Sequence, residues 1–152
     1  NYLWMSDYVF FVKTKYADTF KFESYDQIRD AGYRIGKNRD YTYDTAFRDA
    51  KLPGSEFNDT ESGLGALVED RIDLYPMDKT VGLATLKEMG LLESVTFLPK
   101  PLFSKPYLSP FVRESTYPEI ESVMERFYHE LRVLRDSGEI DKIRNKHLAE
   151  PQ

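Results

Sequence analysis

Tyr33-Arg-Ile-Gly-Lys-Asn-Arg-Asp-Tyr-Thr-Tyr-Asp-Thr-Ala-Phe47 reads as a strand that delivers a polar turn into a helix. Tyr33, Ile35 and Gly36 open a short extended run, which ends in the polar cluster Asn38-Arg39-Asp40. Beyond it, Tyr43, Ala46, Phe47 and Ala50 recur at helical spacing. Thr42 is placed to cap that helix, since its hydroxyl can accept a bond from an amide just downstream. A helix starting at such a turn presents N–H groups and a partial positive charge, which suits a carboxylate or another anion. Strand–turn–helix joints are common and most bind nothing, so this one gains meaning only from its neighbours.

Upstream, Tyr8 to Lys15 is aromatic and β-branched and reads as a strand buried on both faces. Ser24 precedes a short helical turn, Tyr25 to Ala31, that Gly32 stops. Downstream, Leu52 to Ser55 is turn chemistry and Glu56 to Thr60 a brief strand, with Thr60 placed to cap the next helix. Leu64, Leu67 and Val68 give that helix one apolar face, and it ends near Asp70-Arg71. Ile72 to Pro76 is the next strand, with Met77-Asp78 at its carboxyl end. Val81, Ala84, Leu86 and Met89 stripe a further helix, stopped by Gly90.

Val95 to Leu98 is strand-like, and Pro99, Pro101, Pro106 and Pro110 mark an extended connector with a candidate strand at Tyr107 to Val112. From Pro118 the pattern is helical, with Ile120, Val123, Met124, Phe127, Leu131 and Leu134 on one face. Ser137-Gly138 ends that helix, and Ile140, Ile143 and His147 outline a short final one.

The alternation of strand and helix from Tyr33 to Met89 predicts an α/β fold with a mostly parallel sheet flanked by helices. Ligands in such sheets lie beyond the carboxyl ends of the strands. Three polar clusters share that position: Asn38 to Thr42, Asn58 to Glu61, and Met77 to Lys79. They are expected to converge.

Composition narrows the function. The 152 residues carry a net charge of −5 with scattered basic residues, which argues against a nucleic-acid surface. There is no cysteine, so thiolate metal sites and cysteine nucleophiles are excluded. His129 and His147 lack metal-ligand spacing. No apolar run approaches the roughly 20 residues that span a bilayer, so no membrane insertion is expected of these residues. The chain opens on Asn1 with neither a charged n-region nor an apolar h-region, which leads us to expect a processed, trimmed or partly observed chain carrying no signal peptide. Glycine-framed serine elbows, His-Glu-x-x-His and phosphate loops are all missing, and no catalytic residue is assigned.

In their order and spacing, four segments resemble the family 3 extracellular solute-binding proteins, the periplasmic amino-acid receptors of ABC importers. They are Tyr8 to Lys15 with the helix around Tyr25 to Asp30; Tyr33 to Tyr43; Leu67-Val-Glu-Asp-Arg-Ile-Asp-Leu-Tyr-Pro-Met-Asp78; and Phe127 to Lys146. The resemblance implies a type II periplasmic-binding fold, in which two α/β lobes close on a small polar solute. On that basis residues 1–7 are expected to form a hinge crossing, 8–106 a complete second lobe and 107–110 a return crossing. Residues 111–152 would supply the C-terminal part of the first lobe, whose earlier part would lie outside this chain.

Carried over residue by residue, the resemblance makes Arg39, Asp40, Tyr41 and Thr42 the anion-holding loop. Asp40 stands where the family usually has glycine, which restricts the backbone and sets a carboxylate against an anion. Arg39 either offsets that charge or is an exposed surface residue. Thr60 would be a polar wall, and Tyr75 would face the same cleft. Asp78 either accepts hydrogen bonds from a ligand ammonium group or caps the following helix. At most one of Tyr41 and Tyr43 is expected to touch ligand. Trp4 lines the cleft or packs at the hinge.

The function so implied is non-enzymatic. A small polar solute, an amino acid or a related compound, is captured in the periplasm or outside the cell, without a cofactor, and delivered to an ABC permease. Two alternatives keep the fold: a sensing domain of a signalling protein or cell-wall enzyme, and an enzyme resembling cyclohexadienyl dehydratase.

Overall fold

The computed structural model describes residues 2–39, 41–112 and 114–149. Two compact units emerge: Asp7–Ser104, and the chain on either side of it, Asn1–Ser6 with Lys105–Gln152.

Strand β1 (Met5–Lys13) is the spine of the first of these, and Tyr8 through Val12 are all buried. Successive side chains of a strand point to opposite faces, so one continuous apolar run feeds two cores. Val9 and Phe11 join Leu64, Leu67, Tyr75, Met77 and Leu86 on one face. Phe10 and Val12 join Ile28, Ile35, Tyr43, Phe47 and Leu74 on the other. Each large side chain so buried contributes on the order of 2 kcal/mol.

Strands β4 (Tyr75–Asp78) and β5 (Val95–Phe97) flank β1, both antiparallel to it. Strand β2 (Ile35–Asn38) pairs in parallel with β3 (Gly54–Phe57), and an Ile35–Leu74 parallel bridge joins that pair to the segment entering β4. Thus β2, β3, β4 and β5 run one way and β1 runs against them. Strand β6 (Phe103–Pro106) also pairs with β1. The strand expected at Tyr107 to Val112 lies instead at β6, where the chain can add to the edge of β1. The strand expected at Glu56 to Thr60 starts earlier, at Gly54, because the turn residues Gly54 and Ser55 pair with Ile35 and Gly36.

Four helices pack on this sheet: α1 (Tyr25–Asp30), α2 (Thr45–Asp49), α3 (Thr60–Val68) and α4 (Lys79–Glu88). Close approach is secured by missing side chains. A Cβ at Gly63 of α3 would overlap the Tyr75 ring, and one at Gly82 of α4 would overlap the Phe11 ring. Helix α4 consequently buries Gly82, Thr85 and Leu86, while Ala84, expected in its apolar stripe, is exposed.

In the other unit, helix α5 (Ile120–Asp136) is followed across Gly138, at φ +77°, by α6 (Glu139–Ala149). Trp4 stacks on Tyr107 at 4.7 Å, and Phe111 packs edge-on against Phe127 and Tyr128. Of the apolar face predicted for α5, only Leu131 is buried, while Val123, Phe127 and Leu134 stay at least 40% exposed.

Candidate functional site

The carboxyl ends of β2, β3 and β4 meet at one edge of the unit Asp7–Ser104, and each runs into a helix through an aspartate. Asp44 accepts from the Phe47 N–H at 2.9 Å and caps α2. Asp59 accepts from the Ser62 N–H at 2.7 Å and caps α3. Asp78 Oδ1 accepts from the N–H groups of Thr80, at 2.8 Å, and Val81, at 3.1 Å, and caps α4. A carboxylate satisfies orphan amides and also opposes the positive end of the helix.

These caps correct two expectations. Thr42 is not the cap of α2, because the chain stays extended for two more residues and Asp44 takes the position. Thr60 is not the cap of α3 but its first residue. Its Oγ1 instead accepts from the Asn38 Nδ2 at 3.5 Å, a link from the end of β2 to the start of α3.

Tyrosine hydroxyls complete the frame. Tyr43 is buried, and its oxygen accepts from the Asn38 N–H at 3.0 Å while its O–H donates to the Pro76 carbonyl at 3.2 Å. Tyr75 is fully buried, edge-on to Phe57, and donates to the Asp59 carbonyl at 3.4 Å. It supports the edge from beneath and does not face a cleft as expected. Burial pushes both phenols well above the ordinary tyrosine range, so both remain protonated donors at neutral pH. Tyr8, opposite Asp78 in register, is raised to about 12, first by burial and then by the Asp78 charge.

The remaining predicted residues take up distinct positions. Arg39 is exposed, its Nε 3.6 Å from an equally exposed Glu56 carboxylate, and its N–H donates to Phe57 O at 2.9 Å. Tyr41 is half-buried, 6.1 Å edge-on from Tyr8, and Thr42 is exposed. Asp40 lies outside the described residues. Asp78, only 2% exposed, adopts the capping role foreseen as its alternative. Sequence reasoning missed the parts played by Asn38, Tyr43, Asp44 and Asp59. The signal for the two aspartates was present, since each directly precedes the first helical residue.

Among the described residues no group of three or more His, Asp or Glu is arranged to hold a metal ion. No helix among them is long and apolar enough to cross a membrane.

Solved structures share this fold. A mutant of ArgBP from T. maritima superposes with a TM-score of 0.70 at 18% identity, covering 99% of this chain and 61% of its own. The amino acid ABC transporter substrate-binding protein AbpA from Streptococcus pneumoniae, bound to L-arginine, gives 0.70 at 12% identity, covering 97% of this chain and 59% of its own. The GluR0 ligand-binding core from Nostoc punctiforme, in complex with L-glutamate, gives 0.66 at 17% identity, with 99% and 64% covered. The architecture is that of a type II periplasmic-binding-protein lobe. The chain spans about three fifths of the length of the structures that share this fold. No protein-family model matches the sequence, and no curated protein matches it significantly.

Proposed function

We propose that this chain is the solute-binding part of an extracytoplasmic receptor for a small polar solute of the amino-acid class. The observation that carries this reading is the convergence of Asn38 and Asp78, at the ends of β2 and β4, and Thr60, at the start of α3, at one polar edge. Such an edge is where α/β sheets of this kind take their ligands. Asp78 offers a charged acceptor for an ammonium group, while Arg39, Tyr41 and Thr42 provide the complementary donors. Capture requires complementary charge and closure on the solute, not bond making. Delivery to an ABC permease in the periplasm or outside the cell follows as the transport role, with residues 8–106 acting as one lobe and 111–152 as the end of the other.

A sensing role is the second reading. It is favoured by the TM-score of 0.66 to the GluR0 core, close to the 0.70 for the transport protein AbpA. The fold by itself does not separate import from reception.

The test is an NMR titration of the chain with L-arginine, L-glutamate and L-glutamine at millimolar concentrations. Saturable shifts at Asn38, Tyr41, Thr60 and Asp78 support the reading. A spectrum that stays flat at these positions with every solute sinks it.

A further inference from the structure

We infer that Tyr43 is a positioning residue, whose hydroxyl is an inserted rung that holds β2 and β4 apart at their carboxyl ends and so sets the shape of the binding edge. The inference deepens the function proposed above and rests on it. Between β2 and the chain of β4, the parallel pairing begins normally: Ile35 bridges Leu74, and the Gly36 N–H donates to the Leu74 carbonyl at 2.8 Å. The next bond of a parallel ladder would run from residue 76 to the Gly36 carbonyl, but Pro76 has no N–H to give, and the bond after it would join the Asn38 N–H to the Pro76 carbonyl.

The Tyr43 oxygen occupies that place, accepting from Asn38 N at 3.0 Å and donating to Pro76 O at 3.2 Å. One hydroxyl oxygen thus stands between two backbone groups just beyond the ladder bond that Pro76 cannot make, and the strands part where the polar edge begins. The wedge is anchored from behind, since the Tyr43 ring stacks on Phe47 of α2 at 4.7 Å. Its phenol, raised by burial, keeps the proton that the Pro76 carbonyl requires. Downstream, the Asn38 side chain reaches the Thr60 hydroxyl, so the wedge also fixes where α3 starts relative to β2.

Tyr43→Phe removes the wedge oxygen and leaves the ring stacking in place. Tyr25→Phe is the control, since Tyr25 is also partly buried, packs on Phe47 and donates to the Leu102 carbonyl, at 3.5 Å, away from the edge. In amide spectra of the free protein, Tyr43→Phe is expected to move Asn38, Thr60 and Thr80 while leaving Arg34 and Asp73 unshifted. Affinity for whichever of L-arginine, L-glutamate or L-glutamine binds the wild type should fall about fivefold or more, and Tyr25→Phe should leave it unchanged. Unmoved amides at Asn38 and Thr60, or an equal affinity loss in both variants, would overturn the inference. If the wild type binds none of the three solutes while those amides still move, the wedge stands and the proposed function fails.

Discussion

The two ends of the parallel strands in Asp7–Ser104 are held by opposite kinds of chemistry. At the amino ends the contacts are ionic and largely exposed. The Arg34 guanidinium grips Asp73 through two bonds of 2.6 and 3.0 Å and also reaches the Asp70 carbonyl. Lys13 pairs with Asp70 at 2.7 Å. At the carboxyl ends the ties are buried phenols and aspartate caps. Exposed ion pairs fasten loops cheaply because water screens their errors. Buried neutral donors keep a fixed geometry without adding a charge of their own at that end.

The most severe way to break this contrast is Gly63→Val, which forces a side chain into the Tyr75 ring beneath the edge. A loss of about 3 kcal/mol is expected in chemical denaturation. Asp78→Ala removes the cap of α4, with a stability loss of about 1 kcal/mol. It should also abolish detectable solute binding in the NMR titration. A variant that binds as well as the wild type would reduce Asp78 to a cap.

Alkali should loosen the carboxyl end selectively. Tyr8 has a folded pKa of about 12, above its unfolded value, so its contribution is intact below about pH 10 and is lost as pH rises through 12. Hydrogen exchange at Thr80 and Val81 is expected to accelerate in that window ahead of exchange near Arg34. Acid should act at the other end. The Arg34 hydrogen bond holds Asp73 below the usual carboxylate range, so that contribution is present above about pH 4 and is lost as pH falls further.

The smallest effect is expected for Arg34→Ala. It should cost about 0.5 kcal/mol in low salt, less in molar salt, and leave solute affinity unchanged. A drop in affinity would show that the two ends are coupled.

The other unit sharpens the point differently. Val123, Phe127 and Leu134 of α5 are exposed although their spacing predicts an apolar face, so amphipathic pattern alone does not say what covers it.

Periodicity, turn residues and order of elements determined the α/β fold, since a two-faced apolar strand such as Tyr8 to Val12 has few ways to be buried. The same reasoning located the three polar strand ends, because position after a strand is a property of the chain itself. It did not reveal who caps which helix: Thr42 and Asp44, or Thr60 and Asp59, are all competent, and a shift of one or two residues in the helix start decides between them. Nor did it reveal the Tyr43 bridge. Tyr43 looked like a packing residue because its ring is one. Its hydroxyl acquired a role only when β2 and β4, about forty residues apart in sequence, were brought side by side with one rung's width left between Asn38 and Pro76.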